Sequence, residues 1–380
     1  MLVCKAWYSL IRGTPKYWTS IAIGVGGVVG WPGGPKLPEG SSQEGWLAET
    51  LKQVLQRSAQ LPIQVSVAPE RIWDLEVVTN ALHRHAGRVS SLSLLGVEGG
   101  DPEPKPIPAE QIEGLLNTDF PALEQFAFGN LDITPPSDHQ SDGYTVYLTA
   151  PRLRQLACDL QFISPRSTSY LTHLSLASLS SDLLYFGLTP VPVELPQLLK
   201  LSLSDCDPDE MLPILVTPAL QTLIVSKHHS GGSFTAKPPQ YANLRELQWT
   251  DVGHEGCFIE MLELSPNLTR YSNYAFGIEE GLDLGEGPAT IFSIIGTPRE
   301  LNIRCPKLKE VCLDRADCAE MKRLIRAFPS IQFLRILQEV FNDDEYAEEV
   351  KILEELIGKV DLIAGRGSWR GDGDAGVNES

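Results

Sequence analysis

The residues able to bind a metal or attack a substrate are sparse and scattered in this chain. Three of its seven cysteines fall close together, at Cys305, Cys312 and Cys318. A structural zinc site takes four ligands, usually including a close Cys-x-x-Cys pair, and no such pair occurs. Cys305 precedes a turn proline, and Cys312 alternates outward on a strand pattern. Isolated cysteines of this kind behave as small hydrophobes, so no metal site is expected. His83 and His85 are two residues apart, and His228 and His229 are adjacent. Neither pair has the i, i+4 spacing of a helical metal site. Gly24-x-Gly26 opens a glycine-rich run, but Pro32 and Pro35 forbid the helix that a bound phosphate would need. There is no GxSxG, P-loop, HExxH or kinase motif. Asn267-Leu268-Thr269 would be a glycosylation signal only in a secreted chain. The expectation is a protein that is not an enzyme, with no catalytic residues and no cofactor.

Charge and composition narrow the partners. Lys and Arg total 31 and Asp and Glu total 49, a net charge of -18. Duplex nucleic acid and anionic membranes both reward basic patches, so neither is an expected partner. Hydrophobic residues make up 42% of the 380, enough for a substantial core. An odd, scattered cysteine set fits a reducing compartment, cytoplasmic or nuclear. No apolar run approaches membrane-spanning length, and residues 1–23 lack the layout of a signal peptide.

A binding surface has to come from the repeats. Leu198-x-x-Leu201-x-Leu203-x-x-Cys206 is the strand segment of a leucine-rich repeat. One such strand cannot bury its own leucines and needs neighbours on both sides. Related segments begin at Leu123, Leu153, Leu171, Leu220, Leu244, Leu268, Leu308 and Ile331, most preceded by Pro two residues earlier. That proline suits a tight lead-in to a strand, having no N–H to offer a ladder. The spacing predicts an α/β fold: an irregular leucine-rich-repeat solenoid over 46–340, with parallel strands lining the concave face and helices or loops on the convex face. Helices are expected over 46–58, 70–84, 207–215, 254–264 and 317–328, and loops over 102–108, 134–142 and 230–240. An acidic amphipathic helix over 341–363 would cap the open end. Residues 24–45 read as a Gly/Pro-rich loop, and 364–380 as a disordered tail.

Residues flanking each inward leucine point to the opposite face of a strand. In the later repeats these are Lys200, Glu246, Gln248, Arg270, Glu310, Phe333 and Arg335, the candidate substrate-binding set. Arg and aromatic residues are favoured interface anchors, which singles out Arg270, Phe333 and Arg335.

Residues 1–23 carry Val3-Cys4-Lys5-Ala6-Trp7 in a helical pattern, then Thr14-Pro15-Lys16-Tyr17-Trp18. This resembles the C-terminal half of an F-box, which has a Val-Cys-x-x-Trp helix followed by a Thr/Ser-Pro segment with a second Trp. The half that starts Leu-Pro-x-Glu-Ile is absent, so the resemblance is to a partial F-box. The helix over 46–58, Arg57-Ser58, Pro62 and the alternating 63–67 segment that follow are similar to a group of fungal F-box proteins that continue into irregular leucine-rich repeats. The resemblance implies the substrate-recognition subunit of an SCF-type (cullin-RING) ubiquitin ligase. Val3, Cys4, Trp7 and Trp18 would dock a Skp-type adaptor, and the concave repeats would hold a protein substrate. The alternative is a stand-alone leucine-rich-repeat interaction scaffold without ligase docking.

Overall fold

A computed structural model describes residues 10–24 except 12, 43–69, 75–96, 106–134 except 130 and 132, 146–158, 163–165, 169–177, 192–226 except 205, 241–250, 261–273, 305–313, 325, 328–337 and 360–363. The chain divides into two compact units, Met1–Leu198 and Leu199–Ser380.

In the first unit a short 3-10 helix, Pro15–Trp18, leads into β1 (Ser20–Ile23). Then follow α1 (Gln43–Arg57), β2 (Ile63–Val67), α2 (Leu75–His83), β3 (Val89–Leu95), α3 (Ala109–Leu116), β4 (Gln125–Gly129), β5 (Gln155–Cys158) and β6 (His173–Ala177). The six strands pair in chain order, all parallel. Register aligns Ile21, Val65, Leu92, Phe126, Leu156 and Leu174 in one row. Every member of that row is buried, so each strand's leucine is covered by its neighbours. Leu51, Val54 and Leu55 of α1 and Leu75, Val78 and Leu82 of α2 supply further buried apolar residues at helical spacing.

The second unit repeats the plan. It holds β7 (Lys200–Ser204), α4 (Pro208–Ile214), β8 (Thr222–Ser226), β9 (Glu246–Thr250), β10 (Arg270–Asn273), β11 (Glu310–Leu313), β12 (Phe333–Leu337) and β13 (Val360–Ile363), again parallel and paired in chain order. Leu201, Leu223, Leu247, Tyr271, Val311 and Leu334 form the core row, and all are buried.

A four-residue turn precedes most of the repeat strands, and it explains the recurring proline. The amide of Leu220 donates to the carbonyl of Thr217, Leu268 to Ser265, Leu308 to Cys305 and Ile331 to Phe328, at 3.1–3.2 Å. Leu123, Leu153 and Leu198 make the same bond in the first unit. Proline therefore sits at the second turn position, where its fixed φ is already correct. This, rather than avoidance of the ladder, is why it recurs. The first residue of the turn faces the core: Phe120, Ala150, Leu195, Thr217, Tyr241, Ser265, Cys305 and Phe328 are all buried. The carbonyl just ahead of each strand accepts two amides of the next repeat. Leu199 takes Gln221 and Thr222, Gln221 takes Arg245 and Glu246, Arg245 takes Thr269 and Arg270, and Thr269 takes Lys309 and Glu310.

Further expectations are corrected. The parallel ladder starts at β1, inside the 1–23 segment assigned to the partial F-box, because Ser20–Ile23 alternates and its apolar members pair with Val65 and Val67. The helix expected over 341–363 is a strand at Val360–Ile363, paired with β12, so its last four residues extend the ladder. Cys312 is not exposed as its outward position predicted; it is 2% exposed. The helix over 46–58 begins earlier, at Gln43. Residues 342–359, 364–380 and 25–42 lie outside the described residues, as do most of 254–264 and 317–328.

Candidate functional site: the outer face of the second ladder

Alternation along β7 to β12 puts two rows of side chains on the face opposite the core. Register aligns the first as Lys200, Thr222, Glu246, Arg270, Glu310 and Phe333, and the second as Ser202, Ile224, Gln248, Ser272, Cys312 and Arg335. All seven substrate-binding candidates therefore fall on one face of one unit.

The charged members pair with one another. Arg270 Nη1 lies 3.3 Å from Glu246 Oε1, and its Nε lies 3.8 Å from Glu310 Oε1. Arg335 Nε lies 3.2 Å from that same Glu310 oxygen. Thr222 Oγ1 donates to Glu246 Oε2 at 3.5 Å. The set is thus Glu246, Arg270, Glu310 and Arg335, alternating in sign across four strands with two charges of each sign. Its side chains are 23–37% exposed. Pairs this wet are worth about 0.2–1 kcal/mol each.

Cys312 stands in the second row, between Ser272 and Arg335 in register. Its Sγ is 4.0 Å from Glu310 Oε1. Burial pushes the thiol pKa up; the Glu310 carboxylate adds to that, while Ser272, Arg270 and Arg335 pull it back. At neutral pH it remains a protonated thiol. Cys305 is a core residue of the turn ladder, with Sγ directed at the carbonyls of Leu262 and Ser265, and burial raises it to about 11. The two cysteines occupy different structural positions, one in the turn ladder and one on the outer face. Cys318 lies outside the described residues.

Phe333 closes the first row, beside Glu310 in register and 40% exposed. Lys200 and Gln248 are part-buried and complete the polar surface. The face offers alternating charge and one exposed ring.

The adaptor candidates separate. Val3, Cys4 and Trp7 lie outside the described residues. Trp18 is buried, its Nε1 donates to the carbonyl of Ile11 at 2.9 Å, and the Arg57 guanidinium stands 4.5 Å over its ring. That ring serves its own fold, packed against α1, rather than standing free for a partner. Thr222 and Ser272 stand on the same face, outside the seven candidates. Their place in the alternation was legible, but their links to Glu246 and Cys312 depend on neighbouring strands.

No family description and no curated protein sequence matches the chain. Among solved structures, the leucine-rich repeat-containing protein LegL7 from Legionella pneumophila is similar over 90% of this chain and 99% of that one, at 14% identity and a TM-score of 0.36.

Proposed function

We propose that this chain is the substrate-recognition subunit of an SCF-type ubiquitin ligase, with a partial F-box leading directly into leucine-rich repeats. The observation that carries the proposal is the outer face of the second ladder, where Arg270, Glu310 and Arg335 form a chain of ion pairs alternating in sign beside exposed Phe333. Such a face suits recognition of a protein. The step from binding to ubiquitin ligation rests on the Val3-Cys4-x-x-Trp7 and Thr14-Pro15-x-x-Trp18 resemblance. Catalysis then belongs to other subunits, and this chain supplies positioning alone.

The test is to compare proteins co-purifying with the native chain and with Arg270→Glu. A substrate receptor loses its substrate in the variant and keeps the Skp-type adaptor. Identical partner sets would remove the face from the mechanism.

A second reading, a stand-alone interaction scaffold, is favoured by one observation. Trp18, half of the tryptophan signature, is committed to packing under Arg57.

A further inference from the structure

The first unit contains a basic cleft that the proposed function does not use. It is a cavity of about 470 Å³ where the C-terminal end of α1 meets the turn after α2. Gln56 and Gln60 line one side, and Arg84, His85 and Arg88 line the other. A Cβ added at Gly87, also on the lining, would meet nothing within 4 Å, so the space above it is open.

Three basic side chains gather here in a protein of net charge -18. Among the described residues no carboxylate pairs with any of them. Arg88 is held by neutral acceptors: its Nε donates to the carbonyl of Leu61 at 3.1 Å, Nη1 to that of Leu55 at 3.5 Å, and Nη2 to Ser58 Oγ at 2.5 Å. These bonds fix the guanidinium and help close α1, yet leave two of its five N–H groups uncommitted. They do nothing for Arg84 or His85, which a helix-capping role does not explain. Ala59, on the cleft lining, holds φ at +52, a conformation that costs a non-glycine residue free energy.

We propose that this cleft binds the phosphate group of a small soluble phosphate monoester. Two guanidiniums and an imidazole match a dianion with three acceptor oxygens. Gln56 and Gln60 supply neutral donors for the remainder of the ligand. The strongly negative protein disfavours an anionic membrane surface as the source of that phosphate.

His85 supplies the coupling. Burial lowers its pKa, and the Arg88 and Arg84 charges lower it further. The lining opposite it is uncharged, with Leu55 and Gln56 from α1 and Ala59 and Gln60 just after it. A bound dianion opposes those positive charges, so its pKa rises on binding and the ring takes up a proton.

The experiment is calorimetric titration of the full chain at pH 7.5 with glycerol 3-phosphate, with acetate, and with vesicles carrying phosphatidic acid. The expected result is saturable one-to-one binding of glycerol 3-phosphate. Arg84→Gln should weaken it at least about tenfold, the loss of one charge-assisted contact, with no change in melting temperature. The His85 ring, followed by NMR, should show a higher pKa when the ligand is bound. Equal binding of acetate, binding to vesicles alone, undiminished binding by Arg84→Gln, or an unmoved His85 pKa would each overturn the proposal. Arg88 is unsuitable as the tested position, because its hydrogen bonds hold Leu55, Ser58 and Leu61.

Discussion

Arg270 and Glu310 occupy the same register position on adjacent parallel strands, with Arg270 Nε 3.8 Å from Glu310 Oε1. They join Glu246 on one side to Arg335 on the other, making a single chain of ion pairs from residues that lie far apart along the sequence. Arg270→Glu would set three carboxylates side by side in that register. Like charges directly opposite one another destabilise a sheet, so a loss of ~1–2 kcal/mol is expected, shrinking as salt is raised. Thermal melting at low and high ionic strength measures this. A loss that ignores salt would mean the residue acts through packing.

Leu223→Asp should unfold the second unit. Leu223 is fully buried, and an unpaired charge there costs several kcal/mol. Ile224→Asp, one residue along on the outer face, should cost less than about 1 kcal/mol. Equal effects in circular-dichroism melts would contradict the register.

Asn267 Nδ2 donates to the carbonyl of Ala242 at 2.7 Å, and Asn243 Nδ2 donates to that of Pro218 at 2.8 Å. Each ties a turn to the turn of the preceding repeat. Asn267→Ala should cost about 1 kcal/mol, visible as a lower urea midpoint with an unchanged m-value. A shifted m-value would indicate a broader disruption.

Alkaline pH should destabilise the fold. Burial raises Cys305 to about 11 from an ordinary value near 9 and raises Tyr241 and Tyr271 as well. In the unfolded chain the Cys305 thiol ionises first, so the unfolded state binds fewer protons above pH about 9. Stability therefore falls as pH rises from about 9 to about 11, by up to about 1.4 kcal/mol per pH unit from Cys305. Cys305→Ala should flatten that slope across pH-dependent melts; an unchanged slope would assign it to the tyrosines.

Much of this was legible in the sequence, for a physical reason. Strand alternation has period two, so the offsets in Leu201-x-Leu203 and Leu223-x-Val225 assign both the buried row and the outer row from residue order alone. Three features were not legible. The buried residue ahead of each turn proline ranges from Phe120 to Ser265 to Cys305, so its chemistry carries no pattern; only its turn position does. The ion pairing of Arg270 depends on residues 24 before and 40 after it, which become neighbours only when the strands stack. Residues 360–363 carry apolar residues that suit a helix face or a strand, and pairing with β12 decides for the strand.

Trp18→Ala should destabilise the first unit by about 3–5 kcal/mol, since it empties a buried indole site, while Arg57→Ala should cost about 0.5–1 kcal/mol through the lost cation–π contact. Melting of both variants checks this. A Trp18→Ala chain as stable as the native one would return that tryptophan to the docking surface.

Trp7 is therefore the position at which to test ligase docking. The deciding measurement is calorimetric titration of a purified Skp-type adaptor into the full chain and into Trp7→Ala, with melting curves showing both folded. A substrate receptor gives a one-to-one complex that Trp7→Ala weakens at least about tenfold. No binding to the folded native chain, or equal binding to both, would contradict the ligase assignment and leave a repeat protein that binds its partners unaided.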